Sequence, residues 1–397
     1  MKLSLCTLTL LAGVLAPVAQ AFSLYDTAPA IGLAQNASLT YTGSIAVGFD
    51  DNINGTATNE EGSMFTRFGI GASQSENDAM TRLSWTGRVG GTIYNKEADG
   101  TGNKSFADVS LALTLDHTIN EVSSNNLTFR LSITPELDYS NGISSANREG
   151  DSLNWSLSDA YTRKLDGKKS LSLRVGYSGN IYLSDYYDVD DRQYLSASTV
   201  YRYKASTVTS YSLTLGGKYD FRSYGYDSQD IFFRGGVKRK LSEVSSMGIS
   251  LGAQVKFIDS QCDIYPNLRA SYRRTVAKGL TFNAYVALEN ENIDTYRYEL
   301  GGNYRSDMTW RIGGNLTQQL TSRLSLLGGF SIIDADYTDS DIGAADRHEV
   351  TYNVNASLRY QISSQSSLSL SYLYTIANED AGDYDRNMLS ASISYLF

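Results

Sequence analysis

The chain has 397 residues, with 34 Lys and Arg against 43 Asp and Glu, a net charge of −9, 29 Tyr, 34 Gly, 4 Pro and 2 Cys. The acidic balance argues against nucleic acid as a partner, and two cysteines exclude a cysteine metal cluster. Scarce proline beside plentiful tyrosine and glycine suits long strands, whose ladders proline interrupts.

Lys2, the apolar run Leu3 to Leu15 and the small residues of Ala19-Gln20-Ala21 predict a secretory signal peptide over 1–21. Cys6 precedes most of that run, so it is no lipoprotein anchor, and its removal leaves Cys262 alone. Beyond the leader nothing approaches the ~20 apolar residues of a membrane helix. Residues 22–36 form a short segment, and 37–397 continue without a linker or a shift in composition.

The first strand is the cleanest. Leu39, Tyr41, Gly43, Ile45, Val47 and Phe49 alternate with Thr40, Thr42, Ser44, Ala46, Gly48 and Asp50. Period two gives one face for lipid and one for water. The pattern returns at Leu83–Ile93, Val109–Leu115, Leu127–Ile133, Leu171–Ile181, Tyr211–Phe221, Met247–Phe257 and Val350–Tyr360. Runs of ~10 residues suffice for a tilted strand to cross a bilayer. Pro135 and Pro266 blur two strand ends.

Short turns recur at Ser75–Asp78, Asn120–Asn126, Asp166–Lys169, Lys204–Thr207, Leu241–Ser245, Ala277–Gly279, Thr321–Arg323 and Ser363–Ser366. With two strands between successive turns, and one strand at each end, they predict about 18 strands, an even number as in bacterial barrels. Leu280 to Leu320 reads as two long strands, with a possible turn at Arg305–Asp307 leaving an extra hairpin as the alternative. Bases flank several turns: Arg163, Lys164, Lys168 and Lys169; Arg202 and Lys204; Lys238, Arg239 and Lys240; Arg273, Arg274 and Lys278. The longer loops are acidic, as at Asp185, Asp188, Asp190 and Asp191. Barrels keep short turns in the periplasm and long loops outside.

The last strand ends the chain with Leu389, Ala391, Ile393, Tyr395 and Phe397 on one face and Ser390, Ser392 and Ser394 on the other. It resembles the terminal strand of Gram-negative outer-membrane β-barrels. Ser390, Tyr395 and Phe397 match that pattern, while Ser392 stands where the family has glycine. The resemblance implies that Ile393, Tyr395 and Phe397 serve as a signal to the barrel-assembly machinery. The mature chain also resembles putative outer-membrane β-barrel porins. That implies an all-β, transmembrane, antiparallel up-and-down barrel in outer-membrane lipid, through which small hydrophilic solutes or ions diffuse passively. The alternative is a structural or assembly barrel, for envelope anchoring or polysaccharide export, with a lumen occluded by residues such as Phe232, Leu327, Ile333 and Leu373.

Parity predicts a water-facing wall with Arg82, Arg88, Arg130, Arg174, Lys218 and Arg359, most of them low or midway. The acids of that wall, Asp50, Asp108, Glu136, Asp138, Glu289 and Glu291, fall near the outer rim. This gives an acidic mouth and a basic inner half, with anion preference if the basic half is the narrower. Tyr94, Tyr182 and Tyr285 are expected inside, in reach of a carbohydrate. His348 with Asp346 or Asp336 is the one constellation with catalytic residue types, and a polar loop is the favoured reading, so no enzyme is expected. Asp188, Asp190 and Asp191, or Asp336, Asp339 and Asp341, lack an EF-hand's glycine and distal glutamate, so neither metal nor cofactor is expected.

Overall fold

Alternation at period two produces strands, and strands make up nearly all of the described chain. The computed structural model describes residues 39–53, 60–97, 105–134, 152–183, 191–223, 227–258, 261–277, 279–290, 295–297, 302–339, 346–379 and 383–397. The expected leader and the segment that follows it lie outside these residues. The chain begins with β1 (Thr40–Asp50), β2 (Ser63–Asn77), β3 (Thr81–Tyr94), β4 (Ser105–Asn120), β5 (Ser123–Thr134) and β6 (Ser152–Lys164). Next come β7 (Lys169–Tyr182), β8 (Arg192–Lys204), β9 (Thr209–Arg222), β10 (Ser228–Ser242), β11 (Ser245–Ile258) and β12 (Gln261–Ala277). It finishes with β13 (Leu280–Glu289), β14 (Thr295–Arg297), β15 (Gly302–Gln319), β16 (Leu324–Asp339), β17 (Arg347–Gln361), β18 (Ser366–Glu379) and β19 (Tyr384–Leu396).

Every pairing is antiparallel, and β1 pairs with both β2 and β19, so the sheet closes on itself. β13 and β14 take successive lengths of the same edge of β15, with Glu289 opposite Thr309 and Thr295 opposite Tyr304. They count as one wall strand, and the barrel has 18. Arg305–Asp307 is no turn: it lies inside β15, where the register shifts between Ser306 and Thr309. A bulge admits polar residues without reversing the chain, which is why that stretch resembles a turn in sequence.

One face of the wall carries the exposed apolar side chains, among them Ile45, Val47, Ile70, Val89, Leu213, Phe233, Leu251 and Ile264. In a closed barrel this face is the outside, and the serines, threonines and charges of the other parity line the lumen. Tyr41, Trp85, Tyr161, Tyr201, Tyr203, Tyr211, Tyr272, Tyr360 and Tyr395 lie on the outer face toward the turn end. Phe49, Trp155, Tyr177, Tyr219, Phe221, Phe257 and Trp310 do so toward the loop end. Two aromatic belts enclosing an aliphatic band match the two interfaces of a bilayer.

Seven of the eight short turns share one device. Asp78 accepts from the amides of Met80 (2.7 Å) and Thr81 (2.6 Å), and Asp166 from those of Lys168 (2.7 Å) and Lys169 (2.8 Å). Asn120, Ser206, Ser242, Thr321 and Ser363 likewise accept from the amide two residues on. At the remaining turn Gly279 takes φ +79°, which costs glycine no Cβ clash. A side-chain oxygen that mimics a backbone turn selects these residue types.

The seam between β1 and β19 is fixed at the turn end by the last residue. The amide of Phe397 donates to the Tyr41 carbonyl (2.9 Å), and a Cβ on Gly43 would stand 3.2 Å from the Phe397 ring. The Tyr395 and Phe397 rings meet edge to face with centroids 5.0 Å apart, and the Tyr395 hydroxyl donates to Gln365 (3.3 Å).

Two predictions follow from the turns and the seam. Backbone amides hold the Asp78 carboxyl below its usual range. Its stabilising effect is therefore complete above the unfolded value of about 3.9 and is lost as pH falls through the lower folded value. The advantage of wild type over Asp78→Asn in heat-modifiability midpoint should shrink between neutral pH and pH ~3; a constant difference would refute the assignment. At the seam, Ile45 stands opposite Ile393. Opposed antiparallel residues lie ~4.5–5.5 Å apart at Cα, within disulfide reach. Ile45→Cys with Ile393→Cys, in a Cys262→Ser background, should cross-link the native chain on mild oxidation. Ile45→Cys with Leu213→Cys should not.

Candidate functional site

The lumen has two unlike halves. At the loop end its side chains are almost wholly withdrawn from solvent: Asp50 and Lys256 are 0% exposed, Glu349 1% and Arg386 2%. Charge in so tight a layer must be paired. The Arg386 guanidinium donates from Nε to both Asp50 oxygens (3.0 and 3.2 Å), closing the seam on the luminal side. On the outer side of the same seam, Asp51 accepts from the amide (2.6 Å) and Nδ2 (2.8 Å) of Asn387.

From that pair the charges continue round the wall. Arg67 donates from Nε to Thr92 Oγ1 (2.9 Å), and its guanidinium stands 5.4 Å from the Phe65 ring. Arg88 reaches Asp108 at 3.7 Å. Across the barrel, Arg222 pairs with Asp220 (3.1 Å), and Lys218 sits 3.8 Å above the Tyr194 ring. Gln254 donates to Asp230 (3.1 Å). Glu289 accepts from Arg269 at Nε (3.2 Å) and at the guanidinium terminus (2.6 Å), and Arg234 lies 3.9 Å away.

The turn-end half differs. Arg174, Arg202, Lys204, Lys238, Lys240 and Arg273 project inward from β7, β8, β10 and β12. Among the described residues none of these six has a side-chain ion pair or hydrogen bond, and all but the half-buried Arg174 are exposed. The facing sector is a hydroxyl wall. Ser367, Ser369 and Ser371 on β18 stand beside Ser394, Ser392 and Ser390 on β19. Ser357 meets Ser371 at 3.0 Å, and Arg359 donates to Ser367 at 3.5 Å.

Of the residues expected to line the lumen, Arg82, Arg88, Arg130, Arg174, Lys218, Arg359 and Glu289 all have luminal parity. Glu136, Asp138 and Glu291 lie outside the described residues. Lys218 is not low in the barrel, since it is four residues from the loop end of β9. The mouth is not simply acidic either, because Arg67, Arg234, Lys256 and Arg386 share it with the acids. Sequence reading missed Arg67 because β2 was not picked out as a run. It missed Arg386 because the terminal pattern was counted only from Asn387. The more buried half is the paired one, and the exposed bases lie in the turn-end half below it.

Tyr94 is luminal, with ring centroids 5.7 Å from Phe65 and 6.0 Å from Phe106. Tyr285 lies across Gly313, whose Cβ would stand 2.6 Å from its hydroxyl, and the side chain of Tyr182 lies outside the description. His348 Nδ1 stands 2.9 Å from Asp336 and 3.8 Å from Asp334, on the outer face of the rim, away from the lumen. Of the two acidic runs weighed and set aside as metal ligands, Asp188, Asp190 and Asp341 fall outside the described residues.

No protein-family model matches the sequence, and no curated protein matches it. Solved barrels are similar in fold. They include the outer membrane protein opdK from Pseudomonas aeruginosa, at 12% identity over 90% of this chain and 99% of that one, with a TM-score of 0.49. OccAB4 from Acinetobacter baumannii is similar at 10% identity over 91% and 99%, with a TM-score of 0.48. A BenF-like porin from Pseudomonas fluorescens Pf-5 is similar at 14% identity over 91% and 98%, with a TM-score of 0.48.

The paired layer makes a direct prediction. Asp50→Asn leaves the Arg386 charge buried and should cost about 3–5 kcal/mol, read as a lower urea midpoint of the detergent-folded barrel. The double variant Asp50→Asn, Arg386→Gln should lose less than the two single losses combined. Strict additivity would show that the pair is not coupled.

Proposed function

We propose that the chain is an outer-membrane channel for passive diffusion of small hydrophilic solutes and ions, inserted by the barrel-assembly machinery through its terminal strand. The observation that carries this reading is a closed 18-strand wall whose inner face holds unpaired, solvent-exposed bases. An ionised side chain facing lipid would cost about 2–4 kcal/mol at the midplane. Facing inward without a counter-charge, it needs water, so the turn-end half is an aqueous vestibule. This supports a conduit rather than a solid anchor.

The vestibule should favour anions modestly. Screening acts over ~8 Å at physiological salt and ~30 Å at 0.01 M, so the preference should grow as salt is lowered. The paired layer, carrying both signs, should set the resistance and little of the selectivity.

In planar bilayers the purified protein should conduct, with a zero-current potential of anion-preferring sign in a KCl gradient. Arg174→Glu with Arg202→Glu should move that potential toward cation preference, more strongly in dilute salt. An unmoved potential in an open mutant would show that these bases do not set selectivity. Absence of conductance in the wild type would favour a structural barrel, closed by side chains such as Ile333, Tyr337 and Met388 at the loop end.

A further inference from the structure

At the turn end the basic runs straddle the wall. Lys238-Arg239-Lys240 and Arg273-Arg274 occupy strand, so period two sends Lys238, Lys240 and Arg273 into the lumen and Arg239 and Arg274 outward. Arg239 pairs in register with Met247, and Tyr272 is next in the same row on β12. Arg274 stands opposite Ser245. Both guanidiniums are exposed, each lies three residues from the turn end of its strand, and neither has a partner among the described residues. Two strand spacings and a two-residue step along the strand separate them, about 12 Å.

Their surroundings are those of the lipid face. Met247, Tyr211 and Tyr272 lie beside or above them, while the exposed aliphatics Leu241 and Val276 follow them at the turns. Apolar residues on both sides place the two bases at the edge of the apolar belt rather than in open water. A base at that depth lowers its energy by meeting an anionic headgroup at the membrane surface. Among the described residues no comparable pair exists elsewhere at this level. Among the described strand residues, the only other outward bases at the turn end are Arg163 and Lys169, and Lys169 is 3.4 Å from Asp166.

We propose that the outer face of β10–β12 at the turn end is a binding site for an anionic glycerophospholipid of the adjoining leaflet. Arg239 and Arg274 hold the phosphate region, and Met247 and Tyr272 lie along the glycerol and upper acyl chains. The site rests on the membrane-spanning reading of the barrel and is independent of whether the lumen conducts.

Native mass spectrometry of the folded barrel with equal dioleoylphosphatidylglycerol and dioleoylphosphatidylethanolamine tests it. Wild type should retain the anionic lipid in at least several-fold excess. Arg239→Gln with Arg274→Gln should remove that excess, with heat-modifiable mobility unchanged. Lys238→Gln with Lys240→Gln removes as much charge from the lumen of the same strand and should preserve it. No excess in wild type, an excess that survives the arginine variant, or equal loss in both variants would overturn the site. A folded protein that retains neither lipid would overturn the membrane reading itself.

Discussion

Closure of the sheet is the constraint on which the rest depends. In hydrocarbon an unpaired backbone amide or carbonyl costs several kcal/mol, so a sheet with free edges cannot span a bilayer. The closing pair, β1 and β19, joins the two ends of the described barrel. It carries more than its ladder: Asp50–Arg386 inside, Asp51–Asn387 outside, and Phe397 on Gly43 at the turn end. Other neighbouring strands are held together by short connections or by proximity in sequence. The seam has neither, and side-chain bonds on both faces of the wall supply what a turn supplies elsewhere.

A second constraint is room. Strand backbones pack ~4.8 Å apart, and a closed wall sends half its side chains inward. Glycine relieves this where a large group must lie along the wall. A Cβ on Gly69 would come within 2.7 Å of the Arg88 Nε, and one on Gly48 within 2.3 Å of the Phe65 ring. These two glycines let Arg88 and Phe65 lie flat beside the wall. The same flattening brings cations over rings, as with Arg67 at Phe65 and Lys218 at Tyr194. A ring face gives a desolvated cation a partner without a second buried charge.

Much of the architecture was legible in the sequence because period-two alternation is local. All eight turns fall where Asp, Asn, Ser, Thr or Gly interrupts the alternation, and the strand number follows from them. Strands with weak outer faces were harder to see. β6 carries Asp159 and Arg163 outward, β8 carries Ala197 and Thr199, and β2 carries Thr66 and Gln74. The ion pairs were not legible at all. Asp50 and Arg386 are 336 residues apart, and only register brings them together. Parity assigned Arg88, Asp108 and Glu289 to the lumen and passed over Arg269, but which base meets which acid depends on the stagger of the whole barrel.

The division of the lumen follows from the same physics that hid it. Where side chains exclude water, an unpaired charge is costly, and breaking such a pair is worse than never having formed it. The loop-end layer accordingly mixes Asp50, Asp220, Asp230 and Glu289 with Arg386, Arg222, Arg234 and Lys256. Where the barrel admits water the pairing requirement lapses, and an exposed ion pair contributes little. Arg174, Arg202, Lys238, Lys240 and Arg273 thus stay single at little cost in stability. In the channel we propose, their charge would be available to solutes instead of being neutralised within the wall, and the tight layer above would limit passage without needing a net sign of its own.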